Sequence, residues 1–164
     1  MRNVTNQTKA TRILADHYAG TFEMYGPSAD GVDWGSYEKH CLRLQGMVAH
    51  IGADIMAAES LLDVGCGYGE LLRVLEDRFA VRPKRYTGID PCRSMIQAAR
   101  TKYPSYCFEA CAFEDFIPQK PVDRLFCCGV FTKKVYASDI QMYDLLDSFF
   151  AFAKKMRVRS ITFN

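Results

Sequence analysis

Ser60-Leu61-Leu62-Asp63-Val64-Gly65-Cys66-Gly67-Tyr68-Gly69-Glu70-Leu71-Leu72 is the stretch on which the fold turns. Ser60 to Val64 is a short, mainly apolar run of the kind a buried parallel strand needs. It leads through the acid Asp63 into Gly65, Gly67 and Gly69, after which Leu71, Leu72, Val74 and Leu75 continue at helical spacing from Glu70. The reading is strand, tight turn, helix. Glycines at the turn let the backbone bend sharply and let a ligand approach the main chain. A dinucleotide fingerprint, G-x-G-x-x-G, wants glycine where Glu70 stands, and no Gly-Lys-Ser/Thr is present to make a phosphate loop. What remains is acid-x-Gly-x-Gly-x-Gly. A carboxylate at Asp63, at the carboxyl end of a strand, suits a ligand that carries an ammonium group.

This acid and glycine spacing resembles the first motif of the class I S-adenosylmethionine-dependent methyltransferases. A second match follows in Tyr86-Thr87-Gly88-Ile89-Asp90, a strand that ends in an acid 21 residues after Gly69 and leads into Pro91-Cys92-Arg93-Ser94-Met95. An acid placed there accepts hydrogen bonds from both hydroxyls of a ribose. The alternative is that Asp90 only caps the helix that follows. The resemblance implies S-adenosyl-L-methionine as cofactor, held by Asp63, Gly65, Cys66, Gly67, Gly69, Asp90 and Met95, with Pro91 against the adenine. It also places Cys111-Ala112-Phe113-Glu114-Asp115-Phe116 at the family's third motif. Cys111 stands where an acid is common, so the resemblance assigns adenine to the main chain near Ala112 and to Phe113, with Glu114 or Asp115 as substitutes for the acid.

Downstream of the glycine turn the chain alternates. Helix 70–79, strand 85–89, helix 93–103 and strand 106–110 precede a fourth strand from Val122, a helix from Ile140 to Met156 and a fifth strand at Arg159–Asn164. The fold class is therefore α/β: a Rossmann-like, doubly wound, mostly parallel sheet with helices on both faces. Ligands of open α/β sheets sit beyond the carboxyl ends of the strands, which puts Cys128 to Thr132 beside the reaction centre. The family order is 3-2-1-4-5-7-6, and the antiparallel pair after strand five is missing from this sequence. The expectation is that strand five is an open edge, through which a homodimer would pair unless the natural chain is longer.

Two helices precede this core. Lys9 to Tyr25 spaces Ile13, Leu14, Tyr18, Phe22 and Tyr25 on one face, and Trp34 to Ile51 offers Leu42, Leu44, Met47, Val48 and Ile51 for burial. Val32-Asp33-Trp34-Gly35-Ser36 with Arg43 beyond resembles the N-terminal extension of an uncharacterised phage and bacterial branch of the family, where it lies over the cofactor as a lid. By that resemblance Trp34 and Tyr18 shield the site and Arg43 meets the cofactor's carboxylate; the plain alternative is packing for Trp34 and a solvated helix face for Arg43. Glutamine is frequent in that branch at the position of His40. The chain reads as one domain, 1–164, with an extension at 1–55 and a core at 56–164.

Composition narrows the function. With 164 residues, 49% hydrophobic, one sizeable core is expected. A net charge of +2 from 21 basic and 19 acidic side chains gives no strong field toward nucleic acid or an anionic membrane. The basic cluster Lys154, Lys155, Arg157 and Arg159 suits a helix end. Seven cysteines, an odd number, without a secretory apolar run after the polar start point to a reducing, cytoplasmic setting and not to a disulfide framework. Asn3-Val4-Thr5 and Asn6-Gln7-Thr8 then match the glycosylation pattern by coincidence. No Cys-x-x-Cys pair or repeated histidine spacing suggests a metal, and no apolar run reaches the roughly 20 residues that span a bilayer. The expected activity is methyl transfer to an unidentified, small-molecule acceptor. The rival is a truncated or degenerate fold that binds cofactor or a partner without turnover. Transfer at a sulfonium carbon needs positioning more than acid–base help. His17, His40, Lys133 and Glu114 are the candidates if a base is required.

Overall fold

A computed structural model describes residues 7–164; Asn3 and Asn6, the two asparagines of the glycosylation pattern, lie outside the described residues. The elements in chain order are α1 (Lys9–Tyr25), α2 (Tyr37–Ile51), α3 (Ala53–Ala58), β1 (Ser60–Val64), α4 (Glu70–Phe79), β2 (Arg85–Asp90), α5 (Arg93–Lys102), β3 (Cys107–Ala110), a 3-10 turn (Phe113–Asp115), β4 (Arg124–Cys127), α6 (Asp139–Met156) and β5 (Ser160–Phe163). The five strands pair in the order β3-β2-β1-β4-β5, and every pairing is parallel.

Alternation along the strands sorts the core into two layers. Leu61 and Phe126 point to one face, where Leu44 and Val48 of α2, Met56 of α3, the apolar side of α4 and Ile96 of α5 meet them. Leu62, Val64, Leu125 and Cys127 point to the other face, against Ala10 and Leu14 of α1 and Leu145, Phe149 and Phe152 of α6. All five residues of β1 are buried, as a strand covered on both faces requires. Strand pairing outward from β1 goes to β2 on one side and β4 on the other, so the loops that leave β1 and β4 diverge and open a crevice at the carboxyl edge.

Local chemistry sets the helix ends. Thr8 caps α1 by accepting from the Thr11 N–H, and Ser138 with Gln141 forms a reciprocal capping box on α6. The second helix begins at Tyr37, not Trp34, because Gly35 takes a positive φ of 69° and Ser36 accepts from the Lys39 N–H as N-cap. Leu42, read as available for burial, is 65% exposed, since the buried stripe of α2 runs through Cys41, Leu44 and Val48 instead. Tyr25 is likewise exposed at the last turn of α1. The short helix α3 had no periodicity to announce it in the sequence. Among the described residues β5 pairs with β4 alone, and Phe163 near its end is 40% exposed.

Leu62 sits at the middle of the central strand with no exposure at all. Leu62→Ala is expected to lower the unfolding free energy by about 2–5 kcal/mol in urea titration. A cost no larger than that of a surface substitution would show that the core is not organised around β1.

Candidate functional site

The turn after β1 is stitched to the end of β2. The N–H groups of Gly65 and Cys66 both donate to the Ile89 carbonyl, at 2.9 and 3.1 Å, and the Gly67 N–H donates to the Asp90 carboxylate at 3.1 Å. Gly65 and Gly67 hold positive φ values of 71° and 54°, which L side chains resist. A Cβ on Gly65 would stand 2.4 Å from Val130. One on Gly67 would find only Met95 and Val32 at 3.8 and 3.9 Å, so the space beside Gly67 is open cavity.

That cavity lies at the carboxyl ends of β1, β2, β3 and β4 and gathers most of the residues picked out in the sequence. Asp63, Gly65, Cys66, Gly67, Asp90, Pro91, Met95, Ala112, Phe113, Cys128 and Trp34 all border it, with Tyr18 from α1. Gly69 and Arg43 stand off its wall. Gly69 instead makes room for Tyr103, whose ring atoms would lie 3.0 Å from a Cβ there. Arg43 lies with its guanidinium carbon 4.5 Å from the centre of the Trp34 ring. Trp34 in turn presses on the β4 loop, where a Cβ on Gly129 would be 2.6 Å from the indole.

Three buried carboxyls border the cavity, Asp63, Glu70 and Asp90, and Glu70 is paired with Arg73 and Lys102. Asp63 accepts from the Tyr86 hydroxyl at 2.7 Å, and burial pushes its pKa up to about 7 against that bond's pull. Asp90 accepts from the Cys92 N–H at 2.8 Å as well as from Gly67, and burial raises it to about 6. Cys92 is the N-cap of α5, so the carboxylate that borders the cavity also takes the N–H at the start of that helix. The thiols on the wall are kept protonated: burial pushes Cys66 up well beyond the ordinary range, Cys111 to about 11 and Cys128 to about 12. They are small uncharged wall elements, not nucleophiles.

The candidates for a base separate clearly. His17 and Lys133 both pair with Asp33, at 3.2 and 2.8 Å, and tie α1 and the β4–α6 loop to the segment that carries Trp34. Glu114 accepts from the Thr8 N–H and the Thr11 hydroxyl, and Asp115 accepts from Gln7, so both acids brace the start of α1. Neither borders the cavity, and the adenine acid expected at the third motif has no substitute on the wall. His40 does border it. Sequence reasoning missed Thr11, Leu14 and Val32 of the wall, because only the packing of α1 and the following loop onto the sheet brings them there, while Val130 falls within the Cys128–Thr132 span expected beside the reaction centre. Among the described residues no group of three or more histidines, cysteines or acids is placed to hold a metal, and no helix is long and apolar enough to cross a membrane.

A glycine turn bonded to a second-strand acid at the switch point of a 3-2-1-4-5 parallel sheet defines the fold of the class I S-adenosylmethionine-dependent methyltransferases. The family model described as a methyltransferase domain matches residues 62–152, and the chain belongs to that family. Trans-aconitate 2-methyltransferase of Rhizobium rhizogenes is 33% identical over 70 residues, which make up 43% of this chain and 27% of that protein. The match thus spans about a quarter of the curated relatives' length. Among solved structures, a magnesium protoporphyrin IX methyltransferase from Synechocystis PCC 6803 with bound SAM superposes with a TM-score of 0.62 at 16% identity, covering 90% of this chain and 73% of that one. A SAM-dependent methyltransferase from Leishmania major gives 0.67 at 15% identity, covering 94% and 60%. At such identities these two show the shared fold.

The raised carboxyls make a stability prediction. A carboxyl whose folded pKa stands above its unfolded value holds its proton on folding, so its contribution is present at low pH and is lost as pH rises through the folded value. For Asp63 that window runs from the ordinary carboxylate range up to about 7. Asp63→Asn is expected to gain melting temperature relative to the wild type between pH 5 and pH 8 in thermal denaturation. A pH-independent difference would show that Asp63 is not the titrating group.

Proposed function

We propose that this chain binds S-adenosyl-L-methionine in the cavity and transfers its methyl group to a small-molecule acceptor. The observation that carries the reading is the Asp90 carboxylate. Each of its oxygens already takes one backbone N–H, one from the glycine turn and one from the start of α5. A carboxylate has about four acceptor positions, so one remains on each oxygen, the arrangement that two neighbouring ribose hydroxyls need. Pro91, Ala112 and Phe113 lie on the β2 and β3 side of Asp90 and supply an apolar berth for an adenine. The open strip beside Gly67, between Met95 and Val32, accommodates the chain that leads from the ribose toward β1 and β4. Asp63 there offers its carboxylate to an ammonium group.

Bound S-adenosylmethionine supplies an electrophilic methyl carbon on a sulfonium. The protein's share is positioning and exclusion of water. Within the 1–55 extension, residues 7–55 act as the lid, and 56–164 is the core that holds the cofactor: Tyr18, Val32, Trp34 and Leu44 border the same cavity as the glycine turn. The Asp33 pairs with His17 and Lys133 hold that lid down. Seven free thiols, four of them buried, fit a reducing, cytoplasmic setting.

Isothermal titration with S-adenosylhomocysteine tests the reading. Asp90→Ala is expected to weaken binding by about 1.5–3 kcal/mol, the scale for removing one partner of charge-assisted hydrogen bonds. Gly67→Val is expected to abolish binding while the far-ultraviolet circular dichroism stays native-like, since its side chain enters the cavity before it meets the core. Unchanged affinity in Asp90→Ala refutes the ribose role, and binding without any methyl transfer leaves the binding-only rival standing.

A further inference from the structure

Residues 27–34, flanked by Gly26 and Gly35, cross the cavity between α1 and α2 as a strap. Val32 lies over the glycine turn, 3.9 Å from where a Cβ on Gly67 would stand, and Trp34 lies over the β4 loop, 2.6 Å from one on Gly129. Both side chains border the cavity. Asp33, between them, does not; its carboxylate goes to His17 at 3.2 Å and to Lys133 at 2.8 Å. Lys133 also donates to the Asp33 carbonyl, at 2.6 Å.

The strap is held together from within. The Ser28 N–H donates to the Gly26 carbonyl, the Asp33 N–H to the Asp30 carbonyl, the Trp34 N–H to the Ala29 carbonyl and the Gly31 N–H to the Ser28 hydroxyl. Gly26 and Gly35, at its two ends, hold φ values of 63° and 69°, a region that glycine enters without strain, so the strap is built to turn as one piece about its ends. Its outward polar ties fall into two sets. Toward α1 run the His17–Asp33 pair, the bond from the Thr21 hydroxyl to the Gly31 carbonyl and the bond from the Ser28 hydroxyl to the Tyr25 carbonyl. Toward the β4–α6 loop, among the described residues, Lys133 makes the sole polar contact.

We propose that the contact of Lys133 with Asp33 is a latch on the cavity, and that its opening sets the rate at which S-adenosylmethionine enters and S-adenosylhomocysteine leaves. This rests on the methyltransferase reading above. With the adenosine at the β3 and β2 end, the sulfur and the amino-acid chain lie between β1 and β4, under Val32 and Trp34. A ligand seated there leaves when the strap lifts from the β4 loop, and Lys133 opposes that step because it holds the residue next to Trp34. The Asp33 and Lys133 side chains are 36% and 46% exposed, so salt screens the pair and its contribution to global stability is small. A contact of that strength opens readily, as a lid on a catalytic cavity must. Neither residue borders the cavity, so both are positioning residues that act through Trp34 without touching the ligand.

Trp34 is the single tryptophan of the chain, so its fluorescence reports on the strap directly. The test mixes the full chain with S-adenosylhomocysteine at a series of concentrations in a stopped-flow instrument and reads the association and dissociation rates. Lys133→Met and Asp33→Asn are expected to keep the wild-type circular dichroism and to raise the dissociation rate about threefold to tenfold, the scale of an exposed ion pair lost together with a charge-assisted hydrogen bond. Association is expected to quicken as well, so that affinity changes by less than the dissociation rate does. Lys133→Arg, which keeps the charge, is expected to stay within about twofold of the wild type, and Lys133→Met to add less than about twofold on the Asp33→Asn background. Raising salt from about 0.05 to about 0.5 M is expected to speed dissociation from the wild type and to have a smaller effect on Lys133→Met. An unchanged dissociation rate in Lys133→Met, a wild-type rate indifferent to salt, a Lys133→Arg variant as fast as Lys133→Met, or additive effects in the double variant would each overturn the latch. Failure of the wild type to bind S-adenosylhomocysteine at all would instead remove the methyltransferase reading itself.

Discussion

The hydrogen bond from the Gly67 N–H to the Asp90 carboxylate joins the two halves of the site, and the rest of the structure is arranged so that it can form. It needs β1 and β2 paired in a register that sets Val64 beside Ile89, so that both strands end level. It needs a left-handed backbone at Gly67, which the glycine supplies without strain. Asp90 is buried there, and the two backbone N–H donors oppose the cost of enclosing its charge. Take away the register, and the turn and the acid no longer face the same space.

Around that bond the cavity is built almost without free charge. The wall thiols are held protonated, His40 is held neutral, and Asp63 sits near its own titration point with Tyr86 as donor. Such a lining strengthens whatever electrostatic contact a ligand makes, because little water or counter-charge screens it. The charged residues near the cavity are used differently. Glu70 is taken up by Arg73 and Lys102, and Asp33 by His17 and Lys133, so these ions hold helices and loops in place. The partly exposed Asp33 pairs contribute little individually to stability, and their value here is geometric. They keep Trp34 pressed against the β4 loop.

The N-terminal segment completes the cavity more than it adds to the core. Leu14 and Ala10 pack with the α6 layer, yet Tyr18, Val32 and Trp34 on the same stretch face the site. Asp33 adopts a left-handed φ of 53° without being glycine. Its ion pairs with His17 and Lys133 offset that strain and turn the next residue, Trp34, inward.

Local pattern was enough to place every strand and the five longer helices to within about three residues, because apolar period and glycine position are properties of contiguous sequence. The acid at Asp63, the glycine turn and the acid at Asp90 were legible for the same reason: each is a short motif tied to a strand end. What sequence order does not encode is which surfaces meet across the fold. The apolar count of α2 did not say that Leu42 would face solvent, since helical faces are chosen by the partner they pack on. Six residues without periodicity did not announce α3. The spacing of His17, His40, Lys133 and Glu114 was equally uninformative, and only tertiary packing separated them, giving three to ion pairs and caps and one to the cavity wall. The sequence by itself determined the sheet, its glycine turn and its two acids, because those depend on neighbours in the chain; the tertiary structure alone decided how the N-terminal segment closes the cavity, because that depends on contacts between segments 16 to 100 residues apart.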